Sequence, residues 1–304
     1  MKSSVFRVGD EVEAALAAGT PVVAMESTIY SAFGLPEPAN RECLQRCDAA
    51  IRAAGAIPAM TAVLDGVAVV GVENDDVGRV LGGTTKIAAR DLAHAYAVGL
   101  DVGVTTVSAS VTLAARAGVS VFATGGIGGV HRGAAESGDI SHDLLAIARH
   151  PVVTVSAGAK AFLDLPRTLE EFETLGVPVV GWRTDRFPAF YTRDSGSAVT
   201  MTVERAEQVA ALVAANRDLG HPGGVLVANP IPQADELDPQ RIDAAIAEAL
   251  VDAERQGVHG PGVTPVVLAA IAAATDGDSV PANLALAENN ARVAAEIAVA
   301  LTRR

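Results

Sequence analysis

The feature that most constrains the fold is the alternation of short β-branched runs with alanine-rich helical stretches along the 304 residues. The runs are mostly apolar, without the regular alternation of a strand that has one solvent-exposed face, as in strands whose two faces are both buried. They span residues 21–25, 67–72, 102–107, 119–124, 152–156, 177–182 and 225–228. The pattern predicts an α/β fold, an α/β/α sandwich around a central, largely parallel or mixed sheet.

Helical patterns follow most of these runs and also close the chain. They predict helices over residues 37–54, 109–117, 239–256, 264–274 and 280–301. No internal repeat, low-complexity segment or long linker rich in proline, glycine and serine divides the sequence. We therefore expect a single domain over residues 1–304.

Composition restricts the partners. The net charge is −13 and no run of lysine and arginine stands out, which argues against nucleic acid as a partner. Apolar runs are interrupted well short of a membrane span, and residues 1–10 lack the apolar core of a secretion signal. We expect a soluble, cytoplasmic protein without a membrane partner, whose pocket can still be locally positive and bind a small anion.

Cys43 and Cys47 lie four residues apart in a helical pattern. They could form a metal pair or a redox site, but nothing nearby completes a set of ligands. We interpret them as two half-buried apolar residues of a reducing compartment.

The turns after the strands are where ligands bind in open α/β sheets. Glu26 directly follows the run 21–25 and precedes Ser27 and Thr28. A partly buried carboxylate at that place has a raised pKa and can act as a general acid or base. It could equally cap a helix or loop, and the sequence leaves both interpretations open.

A glycine-rich segment follows the run 119–124 and reads Thr-Gly-Gly-Ile-Gly-Gly-Val-His over residues 124–131. Its N–H groups could face a phosphate, or it could be a tight structural turn. The spacing matches neither the dinucleotide fingerprint nor the P-loop.

Residues 131–143 combine carboxylates, histidines and a serine. Asp139 and Asp143 are spaced as one helical turn on one face, with Ser141 and His142 between them and His131 upstream. These groups form a plausible oxygen-rich site for Mn²⁺ or Mg²⁺. Asp139 could instead be a helix N-cap.

Two lysines lie in turns of small residues. Lys160 follows Ser-Ala-Gly-Ala, and Lys86 follows Gly-Gly-Thr-Thr. Each could extend to solvent. A desolvated lysine could instead be a nucleophile that forms a Schiff base, the sharper role for Lys160, and a phosphate clamp is the sharper role for Lys86.

A series of sequence blocks in this order resembles the pseudouridine-5'-phosphate glycosidase family over nearly the whole chain. The blocks are Val-Ala-Met-Glu-Ser-Thr-Ile (23–29), Gly-Ala-Ile-Pro-Ala (55–59), Ala-Val-Leu-Asp-Gly (62–66), Thr-Gly-Gly-Ile-Gly-Gly-Val-His-Arg-Gly (124–133), Val-Ser-Ala-Gly-Ala-Lys (155–160), Asp-Leu-Pro-Arg-Thr-Leu-Glu (164–170), Phe-Pro-Ala-Phe (187–190), Ala-Asn-Pro-Ile-Pro (228–232), Asn283 and Asn-Asn-Ala-Arg (289–292). The resemblance implies a glycosidase-like lyase that reversibly cleaves the C–C bond between uracil and ribose 5-phosphate. It also implies Mn²⁺ as the metal, with Mg²⁺ or another divalent ion as substitutes, and a homotrimer.

The resemblance also implies residue roles. Lys160 would attack the anomeric carbon and form an imine with ring-opened ribose, Glu26 would transfer protons, and Asp139 would hold the metal. The substrate would contact Lys86, Val107 through its backbone, Ser141, His142, Asp143, His131 and Asn283. A C–C glycosidic bond has no heteroatom leaving group, so the usual pair of carboxylates does not suffice and an iminium electron sink fits better.

Two departures from the family concern the base. Residues 30–36 read Tyr-Ser-Ala-Phe-Gly-Leu-Pro where the family usually reads Ile-Ser-His-Gly-Met-Pro, and His142 stands in place of alanine. Because of these departures, a second function stays possible, namely that of a C-glycoside synthase that joins ribose 5-phosphate to another aromatic acceptor. A lysine-dependent aldolase and a non-catalytic sugar-phosphate binding protein are the alternatives from other classes.

Overall fold

The computed structural model describes residues 4–258 and 263–303, except for the side chains of residues 264 and 265. Its strands are β1 Phe6–Val8, β2 Val22–Met25, β3 Ile57–Leu64, β4 Val67–Val70, β5 Lys86–Ile87, β6 Val102–Thr105, β7 Val121–Ala123, β8 Val153–Ser156, β9 Val179–Trp182, β10 Met201–Val203 and β11 Val225–Ala228. Its helices are α1 Asp10–Ala17, α2 Ala39–Ala53, α3 Asn74–Leu81, α4 Leu92–Ala97, α5 Val107–Ala117, α6 Ala134–Ser137, α7 His142–Arg149, α8 Leu165–Thr174, α9 Ala206–Asp218, α10 Pro239–Arg255, α11 Val263–Ala274 and α12 Ser279–Thr302.

The larger part of the sheet is parallel. Its strands lie in the order β3-β2-β7-β8-β11-β9-β10, and every neighbouring pair is parallel. All their carboxyl ends therefore meet at one edge. The predicted position of ligand-binding turns at that edge follows from this arrangement.

The eight-residue strand β3 joins two parts of the sheet. Residues 57–60 pair with β2 in parallel, whereas residues 61–64 pair with β4 in the antiparallel direction. Residues 62–64 also pair antiparallel with β6, and β5 pairs with β6 in parallel. The sheet is thus mixed but largely parallel, as the sequence predicted.

Helices cover both faces of the sheet. The long helix α12 packs against α2 and α9 and lies over β2, β7 and β8, while α5 and α7 pack together on the other side. All residues of β2, β8 and β11 are buried, which is why β2 and β11 are apolar throughout and β8 carries only the short polar side chains of Thr154 and Ser156. The α/β/α sandwich is confirmed.

The predicted elements match the observed ones closely. Each of the seven apolar runs contains a strand, and each predicted helix is present within one or two residues of its predicted bounds. The run 102–107 ends earlier because Thr106 caps α5, whose first residue is Val107. Four strands were not predicted, among them β3, which carries Pro58 and the polar Thr61.

Two further predictions concern buried and membrane-spanning segments. Cys43 and Cys47 are free thiols, fully buried on α2 rather than half-buried, as apolar core residues. Among the helices that the structure describes, none combines the length and the apolar character needed to cross a membrane.

Candidate active site

Three neighbouring strands end at the same place and carry the first residues of the site. Glu26 follows β2, Thr124 follows β7, and the segment after β8 leads to Lys160. Because β2 pairs with β7 and β7 with β8, these residues meet although they are far apart in the sequence.

Glu26 is buried at this edge, with 7% of its surface exposed. The Thr124 hydroxyl donates a hydrogen bond to its carboxylate. Burial raises the pKa of Glu26 to about 7, against the smaller opposing effects of the Lys160 charge and the Thr124 hydrogen bond. A carboxyl group with this pKa exchanges protons readily near neutral pH.

The capping role that the sequence left open for the Glu26 segment is not what the structure shows. Ser27 accepts a hydrogen bond from the Thr105 N–H at 2.8 Å, and the Thr28 hydroxyl donates to the Thr105 carbonyl at 2.7 Å. These hydroxyls fix the turn against the end of β6. The Glu26 side chain lines a cavity instead.

Helix α12 fixes the Thr124 turn through a buried asparagine. Asn290 is fully buried, and its amide nitrogen lies 2.8 Å from the Thr124 carbonyl oxygen and 3.2 Å from that of Gly125. Its amide oxygen accepts a hydrogen bond from Asn229 at 2.8 Å. This buried amide pair fixes the position of the residue that bonds Glu26.

Lys160 lies in a loop and is partly buried. Its N–H donates to the Ile127 carbonyl at 3.0 Å, and Ala159 forms a bridge with Ile127. The backbone around the amine is therefore fixed. Among the described residues, Lys160 has no carboxylate within ion-pairing distance, although its charge acts on Glu26.

Lys86 extends the positive region of the site. It lies on β5, and its Nζ is 5.1 Å from the centroid of the Phe33 ring. Burial and the charge of Lys160 lower the pKa of Lys86, while Glu26 and Asp143 act in the opposite direction. The two lysines and two carboxylates thus form one electrostatic cluster.

Asp143 is a buried anchor at the start of α7. Its Oδ1 accepts the Ser108 N–H at 2.9 Å, and its Oδ2 accepts the Gly128 N–H at 2.9 Å. Ser141 caps α7 by accepting the Asp143 N–H at 3.2 Å. Asp143 therefore joins the first turn of α5 to the glycine-rich segment, and its charge acts on Glu26 and Lys86.

The predicted helical spacing of Asp139 and Asp143 is wrong. Helix α7 begins at His142 and its N-cap is Ser141, so Asp139 lies in the preceding loop and is not a cap. The partner of Asp139 is His131, whose Nδ1 lies 3.7 Å from its Oδ2. Sequence spacing failed here because the loop backbone forms a bridge at Ile140 instead of a helical turn.

The remaining predicted positions are His131, Val107 and His142. Burial lowers the pKa of His131, with the charge of Lys160 acting in the same direction and that of Asp139 against it. Val107 is the first residue of α5, where backbone N–H groups lack helical partners. His142 is the first residue of α7. Burial lowers the pKa of His150, and the charges of Arg149 and His142 act in the same direction.

The glycine-rich segment is mainly a structural turn. The Ile127 N–H donates to the Gly158 carbonyl and the Gly128 N–H to Asp143, so neither is left for a phosphate. A side chain at residue 128 would overlap Ser141, and one at residue 126 would overlap the Phe190 ring. Close packing explains these two glycines.

One cavity brings together only part of the predicted set. Its described lining does not include Val107, His131, Asp139, Ser141, His142 or Asp143. The side chains of Glu26, Lys160, Lys86, Thr124 and Asn283 line it together with an apolar wall of Ile29, Phe33, Phe190, Tyr191, Leu268 and Ile271. The Asn283 Oδ1 is buried and has no hydrogen-bond partner in the described part of the chain. An unpaired acceptor of this kind suits an N–H donor of a ligand.

Thr124 and the aromatic wall were not predicted as site residues. Thr124 could have been found from its position directly after a strand. Phe33 belongs to the loop 30–36 that departs from the family and Phe190 to the block 187–190 that resembles it, whereas Tyr191 carries no local signal. They reach the cavity through tertiary packing, in which their rings meet edge to face at 4.7 Å.

Comparisons with known proteins show which family the chain is similar to. A family described as indigoidine synthase A like protein matches residues 11–300. A pseudouridine-5'-phosphate glycosidase of Methylobacterium nodulans is 50% identical over 96% of this chain and 86% of its own. That of Streptomyces griseus is 50% identical over 95% of this chain and 90% of its own.

Solved structures give the same relationship. The prealnumycin C-glycosynthase AlnA, crystallised in complex with ribulose 5-phosphate, superposes with a TM-score of 0.91 at 38% identity, covering 99% of this chain and 98% of its own. An indigoidine synthase A-like protein of Thermotoga maritima gives 0.88 at 34%, covering 98% and 97%. The chain belongs to the pseudouridine-5'-phosphate glycosidase family, which is also described as indigoidine synthase A like.

Proposed function

We propose that this chain is an enzyme that reversibly cleaves pseudouridine 5'-phosphate into uracil and ribose 5-phosphate through a Schiff base on Lys160. The observation that carries the proposal is the position of one amine, Lys160, and one proton-exchanging carboxyl group, Glu26, in the same cavity. The names of relatives that are about half identical support the choice of substrate.

In the direction of synthesis, the Lys160 amine adds to C1 of ring-opened ribose 5-phosphate. Loss of water then leaves an iminium ion. The nucleophilic carbon of the base adds to C1 and loses its proton, which restores the ring of the base. The sugar hydroxyl finally closes on C1 and expels the Lys160 amine, so that the net products are the C-glycoside and one water. Cleavage is the reverse and consumes that water.

Glu26 is the group that moves protons in these steps. Protonated, it donates to the ring oxygen of the sugar as the ring opens, and ionised, it accepts the proton from the base. A pKa of about 7 keeps both forms populated at neutral pH. The Thr124 hydroxyl holds the carboxylate in place during the exchange.

The phosphate binds at the positive end of the cluster in this proposal. Lys86 supplies charge, and the first turn of α5 at Val107 supplies the positive end of the helix dipole, where the Ser108 N–H already donates to Asp143. Ser141 accepts a hydrogen bond from the Asp143 N–H, and His131 lies next to Asp139. Binding energy from the phosphate then holds C1 near Lys160.

The donor set around Asp139 fits a hydrated divalent cation. No group of three histidine, cysteine or acidic side chains that could hold a metal occurs among residues 4–258 and 263–303. Asp139 is 38% exposed and lies next to His131, which suits Mn²⁺ or Mg²⁺ that keeps most of its water. When bound, such an ion supplies positive charge beside the sugar phosphate.

The apolar end of the cavity would receive the base. The rings of Phe190 and Tyr191 and the aliphatic side chains of Leu268 and Ile271 suit a planar ring, and Asn283 offers one acceptor for an N–H group. A C-glycoside synthase with another aromatic acceptor is the second candidate. The similarity to the prealnumycin C-glycosynthase favours keeping it.

Reductive trapping tests the proposal. The protein is incubated with Mn²⁺, ribose 5-phosphate and uracil, treated with borohydride and weighed intact by mass spectrometry. We expect a stable pentose-phosphate adduct that peptide mapping places on Lys160, and pseudouridine 5'-phosphate in the untreated sample. Lys160→Ala and a sample without uracil are the controls.

The possible outcomes test the Schiff-base mechanism and the identity of the base separately. An adduct on Lys160 without pseudouridine 5'-phosphate would retain the Schiff base and favour the other acceptor. Product formation by Lys160→Ala would refute the Schiff base. Absence of both adduct and product would refute the proposed function.

A further inference from the structure

We propose that Phe33 is a positioning residue whose ring holds the Lys86 ammonium in the orientation that binds the anionic group of the substrate. The Lys86 Nζ lies 5.1 Å from the ring centroid, within the range of a cation–π interaction. Both side chains line the cavity that contains Lys160 and Glu26. The inference rests on the proposed function, in which Lys86 binds the phosphate.

The loop that presents Phe33 is fixed by its own hydrogen bonds. The buried Ser31 hydroxyl donates to the Thr28 carbonyl at 2.8 Å and accepts the Phe33 N–H at 3.3 Å. The Gly34 N–H donates to the Ser31 carbonyl at 3.0 Å, and a side chain at Gly34 would overlap the backbone of Ile29. The ring is therefore held by a rigid turn and not by a mobile loop.

Lys86 needs such support because its other neighbours do not fix it. Within the described residues, no carboxylate lies within ion-pairing distance of its amine, and Glu26 and Asp143 act on it only at longer range. Lys160 repels it. A lysine has a flexible four-carbon stem and a freely rotating ammonium, so a partner that limits its position lowers the entropy lost on binding an anion.

The electron-rich face of the phenylalanine ring is suited to this role. It attracts the ammonium without neutralising it, whereas a carboxylate in the same place would compete with the phosphate. It also removes water from one side of the amine, which strengthens the attraction to an anion. The loop 30–36, in which this chain departs from its family, thus acts on the sugar-phosphate end of the cavity.

A double-mutant cycle at residues 33 and 86 tests the inference. The dissociation constant of ribose 5-phosphate is measured by calorimetry in the Lys160→Ala protein, where no Schiff base forms. Phe33→Leu removes the aromatic face but keeps an apolar side chain, and we expect it to weaken binding between about twofold and thirtyfold. Phe33→Tyr retains the face and should stay within about twofold of the parent.

The Lys86→Met background distinguishes positioning from packing. We expect Phe33→Leu to have no further effect there, because the cation is gone. An equal loss in both backgrounds would overturn the inference and leave Phe33 a packing residue. An unchanged dissociation constant in Phe33→Leu with Lys86 present would overturn it as well.

Two further measurements keep this inference separate from the proposed function. In the protein with Lys160 intact, Phe33→Leu should raise KM for ribose 5-phosphate while kcat changes less. Thermal unfolding checks that the variants fold. If the double-mutant cycle shows no coupling but an adduct is trapped on Lys160, only the role of Phe33 is refuted. If the Lys160→Ala parent does not bind ribose 5-phosphate, both the role of Phe33 and the proposed function are refuted.

Discussion

The pKa of Glu26 determines a pH dependence of stability. Burial raises this pKa to about 7 in the folded chain, against 4.5 in the unfolded chain. The folded chain therefore holds the proton more tightly. The stabilising contribution is fully present below pH 4.5 and is lost as the pH rises through 7. At 1.36 kcal/mol per pH unit, the difference between the two pKa values corresponds to about 3 kcal/mol.

Glu26→Gln keeps the shape of the side chain and removes the titration. Between pH 5 and 8, we expect the free energy of unfolding of the wild-type chain to fall by about 2 to 3 kcal/mol relative to that of Glu26→Gln. Urea unfolding of both proteins at several pH values measures this difference, in which the titration of other groups cancels. The exposed Glu207→Gln serves as the control for loss of one surface carboxylate.

The pH dependence of the difference in unfolding free energy between the wild type and Glu26→Gln shows whether burial controls the proton of Glu26. A flat difference between pH 5 and 8 would show that the carboxyl of Glu26 titrates in its ordinary range, and burial would then not control its proton. A slope of opposite sign would show that the nearby lysines outweigh burial. The same slope in Glu207→Gln would trace the effect to net charge.

Three other substitutions test neighbouring contacts. Thr124→Val removes a hydrogen bond that favours the Glu26 carboxylate, so the pKa of Glu26 should rise above 7 in a titration of the free protein; a fall would contradict the assigned contact. Asp143→Ala leaves one buried and one partly buried N–H group without an acceptor and should cost about 2 kcal/mol or more in urea unfolding, a result that an unchanged midpoint would disprove. Gly128→Ala forces a methyl group against Ser141 and should cost about 1 to 3 kcal/mol; thermal unfolding equal to that of the wild type would show that the turn can yield.

The fold could be predicted largely because its strands are buried on both faces. That burial makes β2 and β11 apolar throughout, so their positions are visible in the sequence. β3 was missed because Pro58 and Thr61 interrupt its apolar pattern, and its role in two pairings depends on partners that the sequence does not reveal. Tertiary pairing overrides local propensity at such a strand.

The site could be predicted where a reactive residue directly follows a strand. Glu26 satisfies this rule, and Lys160 lies a few residues beyond β8. Asp139 and Asp143 show where prediction from sequence spacing fails. Their spacing suggested one helical turn, but the helix begins only at His142. The cavity wall at Phe190 and Tyr191 depends on packing and could not be predicted.

Several expectations remain predictions. The residue roles, the Mn²⁺ ion, the homotrimer, the cytoplasmic location, the lyase class and the single domain over residues 1–304 were inferred from the sequence or from its resemblance to the family. Light scattering measures the assembly, and metal analysis of the purified protein identifies the ion. A dimer or monomer in solution would refute the trimer.

The contact between Asn290 and Thr124 has a consequence for synthesis on the ribosome. The two residues are 166 positions apart, and α12 also covers β2, β7 and β8. A nascent chain that already contains Glu26 and Lys160 therefore lacks the hydrogen bonds from Asn290 to the Thr124 turn until α12 has left the exit tunnel and docked. We expect chains released before Asn290 to be inactive instead of partly active, and the reactive amine to meet sugar aldehydes in an ordered pocket only after translation has passed that point.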